Sequence, residues 1–272
     1  MASAPRPVFV LACYRSGTTL LRYLLDAHPR LACPPETKFI SGLQAFADYP
    51  QALAGLRSLG YSEEEVLREV RRTIETFLGG YAARAGKPRW VDKTPSYHRQ
   101  IDFLEKVFAR EAQYVLMVRH PLDCVDSLGR LFPVEYAEAF NPDLGQKVRE
   151  HGAGREGWIR FWTEIYARLD ALRQAAPERT HVLRYEELVA DPEAALRPLL
   201  RFLGEEYDPA MLAKAFTMEH APGFQDSAIR KTDRVHEQSV GRWKQWPAAE
   251  AEAAWEIAGP TAAKFGYARP RE

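Results

Sequence analysis

Residues 8–27 read VFVLACYRSGTTLLRYLLDA, and this stretch decides the fold. Its first part, Val8 to Ala12, is a short apolar run that predicts a buried strand. A turn around Gly17 follows, and Thr18 to Ala27 then carries leucines at helical spacing. The chain therefore opens with a strand, a loop and a helix, which is the unit from which α/β folds are built.

The loop between this strand and helix has the composition of an anion site. Backbone N–H groups converge where a buried strand turns into a helix, and the helix N-terminus favours negative charge. Arg15 adds a guanidinium group, and Gly17 lets a ligand approach the backbone closely. Hydroxyl groups come from Ser16, Thr18 and Thr19. The alternative is a helix start capped by serine and threonine without any ligand.

Two more strand-loop-helix units follow, and together they predict a central parallel sheet flanked by helices. Both units lie in the middle of the chain, with strands at 90–91 and 114–118 and helices at 96–108 and 122–131. Helices are also expected at 61–80, 158–175 and 192–203, with a short strand at 181–185. Ser62 should cap the helix at 61–80, and Gly79 with Gly80 should end it. One domain over residues 1–272 is the simplest organisation.

Composition narrows the function classes. The chain has 272 residues, and its 37 basic residues balance 37 acidic ones, so broad affinity for nucleic acid or anionic membranes is not expected. The three cysteines, Cys13, Cys33 and Cys124, form no metal-binding or disulfide pattern, and we expect buried thiols and no metal. No apolar run is long enough to span a membrane or to act as a signal peptide, which makes the cytoplasm the expected location.

A second candidate anion site follows the strand at 114–118. Arg119 stands at the strand end, and Ser127 comes about two helical turns later. Both side chains could face one phosphate at the carboxyl edge of the sheet, where open α/β sheets bind ligands. The alternative is a surface ion pair of Arg119 with Asp123 or Asp126, which would contribute little.

With these residues in view, the chain resembles the sulfotransferases that use 3′-phosphoadenosine 5′-phosphosulfate (PAPS). The loop Arg15 to Leu20 is similar to that family's 5′-phosphosulfate loop, and Arg119 with Ser127 is similar to its 3′-phosphate pair. Two further blocks resemble the family in the same order along the chain: Leu183 to Leu188, followed by Asp191-Pro192, and Ser239 to Trp243. The resemblance implies a P-loop-like sulfotransferase fold, PAPS as the donor and 3′-phosphoadenosine 5′-phosphate (PAP) as the product.

The resemblance also implies roles for three residues. Within the family, residues 24–38 look most like the branch that contains the tyrosylprotein sulfotransferases and many bacterial relatives. In that branch a glutamate at the position of Glu36 is the expected catalytic base, and a lysine at that of Lys93 is expected to contact the transferring group. Arg15 is assigned with Lys93 to the bridging and leaving oxygens. The alternative for Glu36 is a carboxylate paired with Lys38, and other candidates for the base are His28, His98 and His120.

Donor binding is expected from residues of both loops and of the C-terminal segment. The nucleotide-binding set comprises Arg15, Ser16, Gly17, Thr18, Thr19, Arg119, Ser127, Tyr185, Thr232, Ser239, Gly241, Arg242, Trp243 and Lys244. Tyr185 could lie against the adenine, while residues 222–247 should form a long loop that covers the nucleotide. Arg230, Lys231 and Arg234 could add phosphate contacts or belong to a solvated basic loop. Core packing is the alternative for Trp243 and Trp246.

Other functions stay open on these residues. A P-loop kinase for a small molecule should show G-x-x-x-x-G-K-[ST], and the lysine of that motif is missing here. A nucleotide-binding protein without catalytic activity would have no need for both Glu36 and Lys93. The acceptor hydroxyl, whether of a small molecule, a sugar, a phenol or a peptide tyrosine, is not fixed, and neither is the oligomeric state. Insertions near 39–60 and 131–156 should shape the acceptor site, where the aromatic side chains weakly favour an apolar acceptor: Phe39, Phe46, Tyr49, Phe132 and Tyr136.

Overall fold

The architecture was analysed in a computed structural model that describes residues 6–131, 145–146, 150–152, 154–224, 229 and 232–269. Five strands form the sheet: β1 Val8–Leu11, β2 Leu31–Ala32, β3 Arg89–Lys93, β4 Gln113–Val118 and β5 Thr180–Arg184. They lie in the order β2-β3-β1-β4-β5, and every described pair is parallel. The predicted α/β class with a central parallel sheet is confirmed.

Helices cover both faces of the sheet. In chain order they are α1 Thr18–Ala27, α2 Phe39–Ala47, α3 Pro50–Ser58, α4 Glu63–Arg84, α5 Ile101–Val107, α6 Pro121–Leu131, α7 Gly154–Ala175, α8 Tyr185–Ala190, α9 Pro192–Leu203, α10 Ala210–Thr217 and α11 Ala248–Ala263. Short 3₁₀ turns occur at Pro95–Arg99, Pro177–Arg179 and Arg242–Gln245. Among the described residues, no helix combines the length and the apolar character that a membrane span requires.

The first strand divides the core into two layers. Phe9 and Leu11 pack with side chains of α4, α5, α6, α7 and α11 on one face of the sheet. Val8 and Val10 pack with α1, α8, α9 and α10 on the other. Successive side chains of a strand point to opposite faces, and a parallel sheet covered on both sides is apolar throughout. This explains why residues 8–12 form a continuous apolar run.

Three predicted elements differ from the structure. The long helix α4 does not end at Gly79-Gly80 but continues to Arg84, because Leu78 and Ala82 stay buried and their packing outweighs the roughly 1 kcal/mol per glycine against helix. Its predicted start is confirmed, since Ser62 and Glu65 form a capping box. The helix expected at 96–108 is a 3₁₀ turn followed by the shorter α5.

The third difference concerns the expected acceptor loops. Residues 39–60 are mostly helical and form α2 and α3, with exposed Phe46 and Tyr49. The acceptor insertion expected near 131–156 lies largely outside the described residues, as do Phe132 and Tyr136. The polar stretch at 222–247 contains no α-helix in its described part, which includes the 3₁₀ turn Arg242–Gln245.

Candidate active site

The predicted site residues come together at one edge of the sheet. Because all described strands are parallel, their carboxyl ends meet along the same edge, where open α/β sheets bind ligands. The loop 13–17 follows β1, Lys93 ends β3, Arg119 follows β4 and Tyr185 follows β5. Four segments that are far apart in the sequence therefore contribute to one surface.

The first loop has the backbone of an anion cradle. Arg15 and Gly17 both adopt left-handed conformations, with φ of 67° and 86°, and α1 begins at Thr18. Such a backbone directs successive N–H groups towards one point. The Ser16 hydroxyl turns inward and lies 2.9 Å from the hydroxyl of Tyr166, which donates to the Met117 carbonyl. The Ser16 side chain thus holds the loop to the core, and the backbone N–H of Ser16 can belong to the anion cradle.

The second loop lies directly against the first. Arg119 Nη1 donates to the Arg15 carbonyl at 2.8 Å, and Arg15 Nε donates to the Ser127 hydroxyl at 3.1 Å. Arg119 is buried, and among the described residues it forms no ion pair with a carboxylate. Its Nε is also a buried donor without a hydrogen-bond partner in this part of the chain. A buried guanidinium in this state is stabilised strongly by an anion.

The C-terminal segment packs against the second loop and the start of α6. The Ser239 carbonyl accepts a hydrogen bond from Arg119 Nη2 at 2.5 Å. The carboxylate of Asp123 accepts from the backbone N–H groups of Gly241 at 2.7 Å and Trp243 at 3.3 Å. The alternative surface pair of Arg119 with Asp123 is therefore not formed. Asp123 was missed as a site residue, and its position one turn before Ser127 was the signal available.

Tyr185 lies between these loops. Its ring packs on Gly17, where an added Cβ would come within 2.3 Å of Tyr185 Cδ2, and the Arg119 guanidinium stands 4.7 Å from the ring centroid. Burial raises the pKa of Tyr185, which Arg119 and the bond with Ser239 partly offset. The ring is thus held by protein groups, and its contact with an adenine stays a prediction.

The other predicted nucleotide-binding residues are placed as follows. Thr18 and Thr19 are buried in the first turn of α1, Thr232 is half-buried, and Arg242 and Lys244 are exposed. Trp243 stacks on His120, with ring centroids 5.4 Å apart, and Trp246 packs into the core. Arg234 is exposed, and Arg230 and Lys231 lie outside the described residues.

Glu36 and Lys93 form an ion pair at the ends of two segments. Lys93 Nζ lies 2.9 Å from Glu36 Oε1, and Lys38 Nζ lies 3.9 Å from Oε2. The two lysines differ in environment, since the Lys93 side chain is 0% exposed and that of Lys38 is 42% exposed. The bond to Glu36 is what the structure shows for Lys93, and its contact with a transferring group stays a prediction.

A buried polar cluster behind this pair fixes the loop that carries Glu36. Asp92 accepts hydrogen bonds from Thr37 at 2.8 Å and Thr94 at 2.7 Å, and Tyr97 contacts the Thr37 hydroxyl at 3.1 Å. Burial raises the pKa of Asp92 to about 6, against the opposing effect of both threonine hydroxyls and Lys93. Sequence analysis missed this cluster, although Asp92 and Thr94 directly flank Lys93 and Tyr97 lies one turn further on.

The three alternative histidines have other surroundings. His28 is the residue that follows α1 as its C-cap, and its Nε2 lies 2.8 Å from the Glu206 carbonyl. His98 is buried in the 3₁₀ turn before α5. His120 is stacked between Trp243 and Trp255, and burial together with Arg119, Arg184 and Lys244 lowers its pKa to about 4. In the described part of the chain, neither His28 nor His120 forms a hydrogen bond with Glu36 or Lys93.

Gly17→Ala tests the packing of the two loops. We expect the free energy of unfolding to fall by about 1–3 kcal/mol, because the new Cβ collides with Tyr185 at a left-handed backbone position. Thermal unfolding measures this effect. Gly42→Ala in α2 is the control, since no atom lies within 4 Å of its added Cβ. Equal unfolding temperatures for the two variants would contradict the packing described above.

The chain is similar to known proteins over most of its length. A model described as the sulfotransferase family matches residues 7–209. Nodulation protein NoeE of Sinorhizobium fredii is 29% identical over 259 residues, which cover 89% of this chain and 61% of NoeE. Protein-tyrosine sulfotransferase 1 of Danio rerio is 26% identical over 271 residues, covering 96% of this chain and 72% of that protein. The sulfotransferase domain from the curacin biosynthetic pathway superposes with a TM-score of 0.70 at 22% identity, with 98% and 99% of the two chains covered.

Proposed function

Because this chain belongs to the sulfotransferase family, we propose that it transfers a sulfuryl group from PAPS to an acceptor hydroxyl. The observation that carries the proposal is the meeting of Arg15, Arg119 and Ser127 at the sheet edge. The Arg119 guanidinium is buried and has no carboxylate partner among the described residues. Two phosphate-bearing ends of one nucleotide would satisfy both loops at once.

The two loops divide the donor between them. The N–H groups of residues 15–19 and the start of α1 bind the 5′-phosphosulfate, as a helix N-terminus binds anions. Arg119 and Ser127 bind the 3′-phosphate, and the segment around Ser239 to Trp243 lies over it. Hydrogen bonds to charged groups contribute about 1.5–3 kcal/mol each, which fits a site built mainly from arginine and backbone donors.

Transfer requires a base and a stabilised leaving group. Glu36 takes the proton of the acceptor hydroxyl while the hydroxyl oxygen forms a bond to sulfur. The bond from sulfur to the bridging phosphate oxygen breaks at the same time and releases PAP. Lys93 and Arg15 stabilise the charge that develops on the bridging and leaving oxygens. The sulfuryl group carries less negative charge than a phosphoryl group, so fixed cations suffice without magnesium.

The acceptor class follows from the family only in outline. The chain spans 61% of NoeE and 72% of the zebrafish relative, so their acceptors are candidates rather than assignments. The name of the second relative points to a phenolic hydroxyl, while small-molecule and sugar hydroxyls stay open. A labelled-donor assay against a panel of such acceptors identifies the substrate. A cytoplasmic location stays a prediction from the sequence.

Calorimetry with PAP tests the donor assignment. We expect tight binding of PAP, poor binding of ATP with magnesium, and a weakening of PAP binding by about 10–100-fold in Arg119→Ala. The reason is that Arg119 supplies a buried charge and links Arg15 to Ser239. Arg197→Ala is the control, because that side chain is exposed on α9, where it pairs with Glu193 and lies over the Tyr207 ring.

Two results would overturn the assignment. A preference for ATP with magnesium over PAP would favour the kinase alternative. Tight PAP binding without sulfuryl transfer to any acceptor of the panel would favour a nucleotide-binding protein that performs no chemistry.

A further inference from the structure

A short segment after α10 reaches from one end of α1 to the loop that carries Glu36. This segment, residues 218–224, is called the strap below. At its far end the Glu36 N–H donates to the Phe224 carbonyl at 3.1 Å, and the two residues form an isolated antiparallel bridge. Gly223 packs so closely on Pro35 that an added Cβ would lie 2.7 Å from Pro35 Cβ. The strap is therefore a direct backbone support of Glu36.

The near end of the strap is anchored by His220. Its Nδ1 lies 2.9 Å from Asp26 Oδ2, and its Nε2 lies 2.8 Å from the Ala215 carbonyl. Both partners are acceptors, so the ring makes both hydrogen bonds only when each nitrogen carries a hydrogen. Tyr23 stacks on the ring with centroids 3.8 Å apart, and the His220 side chain is 5% exposed. The His220 ring is therefore buried and is held by three residues: Asp26, Ala215 and Tyr23.

Asp26, which receives this anchor, is itself fixed. It is buried in the last turn of α1 and accepts a hydrogen bond from the Cys33 N–H at 3.0 Å. Arg22 and Lys87 lie 3.9 and 3.7 Å from its carboxylate oxygens. Burial raises the pKa of Asp26, but the bonds from His220 and Cys33, with both cations, lower it overall. His220 is therefore bound to an ionised carboxylate, that of Asp26, on the helix that follows the first loop.

We propose that His220 is a positioning residue for Glu36, acting through the strap. The inference rests on the proposed role of Glu36 as the base. The Glu36 side chain is held by Lys93, and its backbone is held by Phe224. Loss of His220 frees the near end of the strap, and the backbone acceptor for Glu36 then moves with it. A displacement of about 1 Å in a catalytic group can cost up to about 10²-fold in rate.

The inference differs from a role in stability alone. A histidine that only stabilised the fold would lower turnover to the same extent whether or not residue 36 is a carboxylate. A histidine that positions the base matters only while the base is present. The interaction between substitutions at 36 and 220 therefore separates the two roles.

The experiment compares His220→Gln in two backgrounds, using labelled PAPS and the best acceptor of the panel. We expect kcat to fall about tenfold in the wild-type background and by less than about twofold in the Glu36→Gln background, with PAP affinity unchanged in both. His181→Gln is the matched control, because that half-buried histidine of β5 stacks on Phe202 away from the strap. It should leave kcat unchanged. An equal loss from His220→Gln in both backgrounds would overturn the inference.

Gly223→Ala gives a second route if His220→Gln fails to fold. The glycine is exposed, and its added Cβ pushes the strap away from Pro35 without removing the buried anchor. We expect the same pattern, a loss of about tenfold that disappears with Glu36→Gln. Wild-type kcat in both His220→Gln and Gly223→Ala, with Glu36→Gln slow, overturns this inference alone. Wild-type kcat in Glu36→Gln overturns the base assignment and this inference together.

Discussion

Glu36→Gln should lower kcat by about 10²–10⁴-fold while leaving PAP affinity within about twofold of wild type. The carboxamide has the shape of the carboxylate and keeps an oxygen that can accept a hydrogen bond from Lys93. In the wild-type chain, Lys93 Nζ lies 2.9 Å from Glu36 Oε1. It cannot accept the proton that the hydroxyl loses during attack on sulfur. The loss therefore falls on the chemical step, and single-turnover assays with labelled PAPS measure it directly.

The control for this prediction is an exposed carboxylate near the same sheet edge. Glu187 on α8 pairs at 3.3 Å with Arg184 and is 57% exposed, so Glu187→Gln should leave kcat unchanged. If Glu36→Gln retains wild-type kcat, the base is another group. His28, His98 and His120 are then the residues to replace.

Lys93→Met should lower kcat by about 10²–10³-fold, which corresponds to the loss of one preorganised charge contact of about 2.7–4 kcal/mol. Methionine fills a similar volume at this fully buried position, so the fold should survive with a modest loss of stability. The ammonium is lost both as the partner of Glu36 Oε1 and as the expected contact of the transferring group. Measurement of kcat, the thermal unfolding temperature and PAP affinity in one preparation assigns the loss to the chemical step.

Lys38→Met is a matched control on the same carboxylate. Its side chain is 42% exposed, and its ammonium lies 3.9 Å from Glu36 Oε2 and 4.4 Å from the centroid of the Phe224 ring. Exposed pairs of this kind contribute about 0–1 kcal/mol, so kcat should fall by no more than about fivefold. An equal fall in kcat in Lys93→Met and Lys38→Met would contradict the separate role assigned to the buried lysine.

Local patterns in the sequence predicted the position of the two loops of the candidate site. The apolar run at 8–12, the glycine at 17 and the leucines after it specify a strand, a tight turn and a helix within twenty residues, because each depends on neighbours along the chain. The pattern of Arg119 and Ser127 after the apolar run at 114–118 predicted the second loop in the same way. Both loops lie at the same sheet edge because parallel strands end there together.

Local patterns failed where packing outweighed propensity. Gly79 and Gly80 predicted the end of α4, but the buried stripe on either side of them carries the helix to Arg84. The region 39–60 was expected to be loop, and it forms α2 and α3. In α4 the burial of apolar side chains against the rest of the fold decided the outcome, and such burial is invisible in a short window of sequence.

The sequence by itself determined the α/β class with a parallel sheet, the glycine turn of the first loop and the family to which the chain belongs. Only the tertiary structure decided that Arg119 bonds to the Arg15 carbonyl, that Asp123 holds the backbone at 241–243, and that His220 reaches Asp26 across 194 positions of the chain. The physical reason is the separation along the chain between the residues that interact. Turns and periodicity are set by neighbours, whereas these contacts depend on the paths of loops between elements, which packing of the whole chain fixes.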